Sequence, residues 1–418
     1  MLASWWLRPA LALSMAAAIA LAHATGARAA PDPDSTSVSR PDSAALVPQR
    51  DVTDIFRDIT HQQIRTQVES EPRPGLSLTL LPSVGYNPSY GFFIGASASV
   101  AGWLGDPKKT QLSSGSLGAS YSTTHQVSVQ FRSDFWLPGN QWDLKGDWRY
   151  LDTSQPTYGL GPAEPAQEPD SMDFVLYRLY QAAYLRMGGS QIYTGFGFLF
   201  DRYDEIRDHG AEAGERTPFS TYSGGTPSRT QSVAISANIL IDTRDNPING
   251  ARGLYWNASI RSYQRVLGSD HSTQGLWSDF RSYTRLPGGT RNVLAIWSYL
   301  WFTFGKPPYL DLPAIGWDTY GRGGRGYLQG RIRATNQLYN EFEYRLRFTR
   351  DGLWGGVAFL NIMASTQPEN GTFGTLDLGY GVGLRVKFNK KTNTNASVDA
   401  ARGQDEKTRF FFGLQEVF

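Results

Sequence analysis

Cysteine does not occur anywhere in the 418 residues, so no disulfide can hold the fold, and stability must come from a packed core or from closure of a barrel. Beyond the N-terminus there is no run of eighteen apolar residues, which excludes a bundle of membrane-spanning helices. Catalytic signatures are missing as well. There is no G-x-S-x-G, and the nearest run, Gly95-Ala96-Ser97-Ala98-Ser99, alternates like a strand. The five histidines (His23, His61, His125, His209 and His271) make neither H-E-x-x-H nor a metal cluster. Gly321–Gly326 lacks the Lys-Ser/Thr of a phosphate loop. No enzyme, no metal site and no cofactor is expected.

Excess charge is lacking too. Residues 1–29 read as a secretory signal. Arg8 gives a short basic start, Ala10–Ala22 is an apolar run too short for a membrane helix, and Ala27-Arg28-Ala29 offers an A-x-A cleavage site. Removing this segment takes away two of the 40 basic residues and none of the 38 acidic ones, leaving 38 against 38. That balance disfavours a nucleic-acid partner. What the chain does have is 44 Gly, 21 Tyr, 22 Phe and 12 Trp at moderate mean hydropathy. A membrane barrel whose strands are apolar on one face only has this composition.

Residues 30–75 carry Pro31, Pro33, Pro41 and Pro48 among Ser and Asp and read as a linker. Within them Asp51–Val68 places Val52, Ile55, Phe56 and Ile59 at helical spacing, with Asp51 or Thr53 as N-cap. Two readings stay open for this segment: a short helix against the periplasmic mouth of a barrel, or a marginal helix that frays. Residues 76–418 form the barrel. Sixteen strands are expected, at about 76–86, 91–104, 111–122, 126–137, 141–151, 173–187, 190–203, 230–243, 253–266, 274–286, 291–305, 336–349, 353–365, 374–388, 393–402 and 407–418. The clearest alternation sets Leu376, Leu378, Tyr380, Val382, Leu384, Val386 and Phe388 on one face, and Asp377, Gly379, Gly381, Gly383, Arg385 and Lys387 on the other. Strand 291–305 is apolar on both faces and stays ambiguous.

The connections carry an independent signal. Those after even-numbered strands are short turns, whereas several after odd-numbered strands are long, roughly 152–172, 204–229, 306–335 and 366–373. Short turns on one side and long loops on the other is the layout of an outer-membrane barrel. A soluble sandwich or propeller gives no reason for it. Trp103, Trp136, Trp142 and Trp354 fall at the periplasmic strand ends, where an aromatic girdle belongs. The chain finishes on Phe418, after Phe410, Phe412 and Leu414 on one face, with Glu416 expected at the headgroup level.

The segment that organises the rest is 316–347. A Gly- and Arg-rich loop runs into a strand whose same-face positions include Glu341, Glu343, Arg345 and Arg347, with Leu338, Phe342, Tyr344 and Leu346 opposite. In a barrel those charges face a water-filled lumen, within reach of a basic loop folding inward.

These residues resemble the BamA/TamA family of outer-membrane barrels, the bacterial surface antigen family. Gly324-Arg325-Gly326-Tyr327 matches its (x)RG(F/Y) loop motif between the eleventh and twelfth strands, and Glu343-Tyr344-Arg345 its E-Y-R element. Asp242-Thr243-Arg244-Asp245-Asn246-Pro247 with Arg252-Gly253 is similar to its periplasmic turn, and Tyr158-Gly159-Leu160-Gly161 to a Y-G-x-G loop element. There are three departures. Asn361 stands where the family's F-x-D-x-G has an acid. Residues 30–75 are too few and too Pro-rich for a POTRA domain. Gly250 replaces a usual proline. The resemblance implies that Arg325 enters the lumen and pairs with an acid, the candidates being Glu341, Glu343, Asp377 and Asp399, with Asn361 alongside. Gly379, Gly381 and Gly383 would leave a trough for the loop backbone.

The resemblance also implies a lateral gate at the seam of first and last strands, where Pro82 cannot donate to a ladder and Gly413 and Phe418 lie on the partner strand. The function implied is assistance in inserting, assembling or translocating proteins at the outer membrane of a Gram-negative bacterium. The alternative is a structural or interaction barrel, or a pore, working with a separate periplasmic partner. Expected partners are outer-membrane lipids and either client polypeptides or that periplasmic protein, with the barrel a monomer.

Overall fold

A computed structural model describes residues 49–59, 74–163, 168–287, 292–390, 393–414 and 416–418. The signal segment and most of the linker lie outside the described residues. Sixteen antiparallel strands form one sheet in sequence order. They are β1 (Gly75–Asn87), β2 (Gly91–Trp103), β3 (Ser113–Ser122), β4 (Val127–Trp136), β5 (Trp142–Thr157), β6 (Asp170–Arg186), β7 (Ile192–Asp208) and β8 (Thr230–Asp242). The second half is β9 (Gly253–Tyr263), β10 (Thr273–Arg285), β11 (Val293–Phe304), β12 (Asn336–Arg347), β13 (Trp354–Ser365), β14 (Asp377–Asn389), β15 (Thr394–Arg402) and β16 (Thr408–Leu414).

The faces are inverted relative to a soluble protein. Large apolar side chains such as Leu80, Phe92, Ile94, Phe196, Ile260 and Val382 are exposed on the outside, while Arg149, Arg178, Asp279, Glu341 and Glu343 are buried within. Period-two alternation produces this in a curved wall whose outer face meets lipid and whose inner face meets a polar lumen. β14 shows it most plainly. Leu378, Tyr380, Val382 and Leu384 are exposed outward, and Asp377 and Arg385 are buried inward. β11 also resolves. Its inward Trp297, Tyr299 and Trp301 are buried because the lumen beside them is filled with protein, so both faces are apolar.

Several boundaries differ from the sequence reading. β5 and β7 run on to Thr157 and Asp208, since both keep pairing with β6 beyond the membrane band, and the loops after them shorten to 158–169 and 209–229. Of the short helix expected within 51–68, the described residues hold α1 (Val52–Ile59), and 60–68 lie outside them. Its N-cap is Asp51, whose Oδ1 accepts from the Asp54 amide (3.1 Å), while Asp54 returns the contact to the Asp51 amide (3.0 Å). α1 is moored at the periplasmic mouth: Asp51 accepts from the Lys390 amide (3.0 Å) and Asp54 pairs with Lys390 Nζ (2.7 Å).

Two girdle assignments are wrong. Trp136 turns into the lumen and packs edge-on to Tyr193 (5.2 Å), and Trp103 lines the lumenal cavity; Trp142 and Trp354 are the exposed pair. The chain end also departs from expectation. β16 stops at Leu414, and Glu416–Phe418 turn inward rather than completing a lipid-facing strand. Arg385 supplies the reason, because its Nε donates to Glu416 (2.7 Å) inside the barrel, a partner that headgroups could not match. Phe418 consequently does not sit at the seam. It packs against Trp297 (5.4 Å), and its carbonyl accepts from Arg345 Nη2 (2.8 Å).

Candidate functional site

The loop between β11 and β12, residues 305–335, folds into the lumen and bridges it from wall to wall. On one side Tyr203 Oη donates to the Leu310 carbonyl (3.1 Å), Arg149 Nη2 to that of Thr319 (2.6 Å), and the Thr157 and Tyr309 hydroxyls bond to each other. Tyr309, Leu312, Ile315, Trp317 and Ile332 form the apolar centre of this plug. Toward the outside the Tyr158-Gly159-Leu160-Gly161 element meets it. The Gly161 amide donates to the Arg333 carbonyl (2.8 Å), and the Arg331 guanidinium lies over the Tyr158 ring (4.0 Å).

On the other side the tip lies on β12–β15, and register explains the geometry. Glu341 of β12 sits opposite Asn361 of β13, which sits opposite Gly379 of β14. One same-face step on, Glu343, Phe359 and Gly381 align in the same way. The next step brings Gly383 opposite Asp399 of β15. Carboxylates therefore stand on both sides of a trough that β14 leaves empty. Arg325 fills it. Its Nη2 bonds to Glu341 and to Glu343 (2.5 Å), its Nη1 donates to Asp399 (2.8 Å), and its guanidinium rests on the Phe359 ring, 3.4 Å from the centroid. Burial works against a charged guanidinium, but Glu341, Glu343 and Asp399 outweigh it and hold the Arg325 pKa well above its ordinary value.

The backbone is fitted as closely as the side chain. Asn361 Nδ2 donates to the Arg325 carbonyl (2.9 Å), a bond an ionised Asp could not make, so the amide at this position serves the loop's main chain and not its charge. A Cβ on Gly379 would lie 2.7 Å from that same carbonyl. Gly326 has φ of 104°, and a Cβ there would lie 2.6 Å from the Arg402 carbonyl of β15. Tyr327 Oη donates to the Leu378 carbonyl (2.6 Å) and accepts from the Gln404 amide (3.3 Å), and the Gly324 amide donates to Tyr339 Oη (3.0 Å). Asp377 is not among the Arg325 partners. It lies at the level of Tyr339 and Met363, one step above the cluster, and accepts from the Ala163 amide (3.0 Å).

The sequence reading missed the outer ring of this cluster. Glu343 is shared with Arg345 (2.7 Å), Asp399 with Arg385, and Arg385 in turn with Glu416. Burial opposes ionisation of Glu416, yet Arg385 and Arg345, with hydrogen bonds from Arg385 and Asn395, hold its carboxyl down at about 2. Of these residues only Glu343 and Arg345 carry a local signal, a spacing of two that puts acid and arginine on one face.

The periplasmic turn after β8 is braced from within and tied to its surroundings, for Asn249 exchanges hydrogen bonds with Asn393 (3.2 Å each) and the Gly250 carbonyl accepts from Arg345 Nη1 (3.1 Å). Arg244 forks onto Asp242 (2.6 and 2.9 Å), Asp245 accepts from the Ala251 and Arg252 amides (2.8 and 3.1 Å), and Asn246 accepts from Ile248 and Asn249 (2.8 and 2.9 Å), with Pro247 offering its carbonyl to Arg244 (3.2 Å). At the seam, β1 and β16 are neighbours, with the Tyr86 and Phe412 rings 6.5 Å apart, but no ladder joins them among the described residues. Among the described residues Pro82 pairs only with Ala96 of β2, and Gly413 only with Ser397 of β15.

The fold of this barrel has counterparts among solved structures. BamA from Haemophilus ducreyi lacking POTRA domains 1–3 superposes with a TM-score of 0.50 at 15% identity, over 82% of this chain and 70% of that one. The chain has the BamA barrel fold. CdiB from Acinetobacter baumannii gives a TM-score of 0.51 at 12% identity, over 81% of this chain but 59% of CdiB, so this BamA-like barrel spans less than two-thirds of CdiB. No family model and no curated protein matches the sequence.

Proposed function

We propose that this BamA-like barrel is a non-enzymatic outer-membrane protein that assists the insertion, assembly or translocation of polypeptides, and that client strands engage it at the β1–β16 seam. The observation carrying this reading is the contrast between the two ways through the barrel. The lumenal route is blocked by a loop anchored on both walls, whereas β1 and β16 adjoin without a ladder. Unpaired strand edges are templates for another strand. The likeness of Gly324–Tyr327 and Glu343–Arg345 to the BamA/TamA family motifs supports the same reading.

A strain lacking the protein tests this. Its outer-membrane and surface proteome should lose a defined set of proteins, restored by the wild-type chain. An unchanged proteome would leave a scaffold for a periplasmic partner as the better reading, and α1, moored at the mouth through Lys390, is the feature that favours it. A general pore predicts large steady conductance in bilayers, which the plug should prevent.

A further inference from the structure

Below the plug the lumen keeps a cavity of about 900 Å³. Trp317 and Tyr320 roof it, and it reaches the periplasmic turn at Pro247 and Ile248. Its charges follow a rule. An acid two residues before an arginine puts both on the inner face, and the two pair directly: Asp147 with Arg149, Asp242 with Arg244, Asp279 with Arg281, Glu343 with Arg345. Lys145, Arg178 and Arg132 have Asp134, Asp201 and Asp147 (the last at 4.0 Å) on neighbouring strands, the two arginines lacking an acid on that spacing.

Arg261 of β9 breaks the rule. Ser259 stands in the acid's place and accepts from Arg261 Nε (3.1 Å). The cross-strand neighbours are Ser236 and Gly275, and no carboxylate pairs with Arg261 among the described residues. Yet Arg261 is buried, lines the cavity, and is held between rings, 5.0 Å from the Trp277 centroid and 5.7 Å from that of Tyr180. Beside Ser259 across the ladder is Asn238, which also lines the cavity and whose amide makes no hydrogen bond among the described residues. A buried guanidinium without a counter-charge is costly, and a pre-positioned fork is the geometry that binds carboxylate or phosphate through two parallel bonds. The Trp277 ring lies under Arg261, and beside them the Asn238 amide and the Ser236 hydroxyl offer donors and acceptors that suit the hydroxyls of a sugar.

We propose that the lumen binds a small saccharide-type ligand carrying one oxyanion group, a sugar acid or sugar phosphate. The oxyanion lies on Arg261, the hydroxyls reach Asn238 and Ser236, and entry is from the periplasmic side. This inference does not rest on the seam.

Titration of the full chain in detergent with glucuronate, glucose 6-phosphate, inorganic phosphate and glucose tests it, by heat and by the fluorescence change expected of Trp277. The sugar anions should bind, glucose should not, and phosphate should bind more weakly. Ser259→Asp supplies the missing internal partner, and Arg261→Gln removes the charge. Each should weaken binding roughly tenfold or more, in protein that still shows a heat-modifiable folded band. Should Ser259→Asp fail to fold, Arg261→Gln and Asn238→Ala carry the same test. Absence of binding by the native chain, phosphate binding as tightly as the sugar anions, or Ser259→Asp binding like the native chain would each overturn the proposal.

Discussion

Asp399 of β15 accepts a hydrogen bond from Arg325 at 2.8 Å across a strand that places no side chain between them. Gly379, Gly381 and Gly383 are what allow a loop residue to be shared by acids on β12 and β15. Of the three carboxylates, Glu343 also has Arg345 and Asp399 also has Arg385, but among the described residues Glu341 has only Arg325 and the Tyr339 hydroxyl. Arg325→Ala should therefore orphan Glu341 above all. Breaking a buried pair typically costs about 3–5 kcal/mol, which heat-modifiability on gels would register as unfolding at a lower temperature in a barrel that still reaches the membrane. Adding Glu341→Gln should recover part of the loss. An Arg325→Ala barrel as heat-resistant as the wild type would mean that the cluster does not hold the loop.

Gly379→Val probes the trough without touching a charge. Its Cβ would meet the Arg325 carbonyl and the Asn361 amide oxygen at 2.7 and 2.4 Å, so the loop must lift. Overpacking of this kind costs about 1–3 kcal/mol. Trypsin should then cut at Arg322 or Arg325 in folded protein, sites that the native plug protects.

Two loop and terminal carboxyls set opposite pH responses. Glu416, held down at about 2 against an ordinary value of 4.5, contributes stability above that ordinary value and loses it as pH falls toward 2. Asp311 lies in the plug. Burial first, and then nearby Asp201, push it up to about 7 although Ser232 donates to it. A raised carboxyl stabilises below its ordinary value of 3.8 and loses that contribution as pH rises toward 7. Thermal melts should show Glu416→Gln flattening the acid limb between about pH 4.5 and 2, and Asp311→Asn flattening the limb between about pH 4 and 7. Identical limbs in the variants and the wild type would contradict both assignments.

Much of this was legible in the sequence because alternation has a fixed period. The faces of 374–388 and 336–349 follow from side-chain direction alone, and Glu341 and Glu343 were marked by sharing a face next to an Arg-Gly loop. Asp399 and Asp377 could not be ranked, because that depends on register across the three ladders from β12 to β15, which no local pattern encodes. The inward turn of Glu416–Phe418 was hidden for a similar reason. It depends on Arg385, two strands away, and an apolar terminal residue reads the same whether it meets lipid or the Trp297 ring. Trp136 was misplaced because a strand end near the membrane boundary suits a girdle and a lumenal cluster equally well.

The proposed function requires the seam to open to a client strand. Because the chain has no cysteine, Tyr86→Cys with Phe412→Cys provides a single defined pair across β1 and β16, at positions whose rings lie 6.5 Å apart. In a deletion strain carrying only this variant, the oxidised, locked barrel should show the same loss of outer-membrane and surface proteins as the deletion, and a reductant should reverse it. Full activity in the oxidised, locked protein would contradict the account and leave a static barrel.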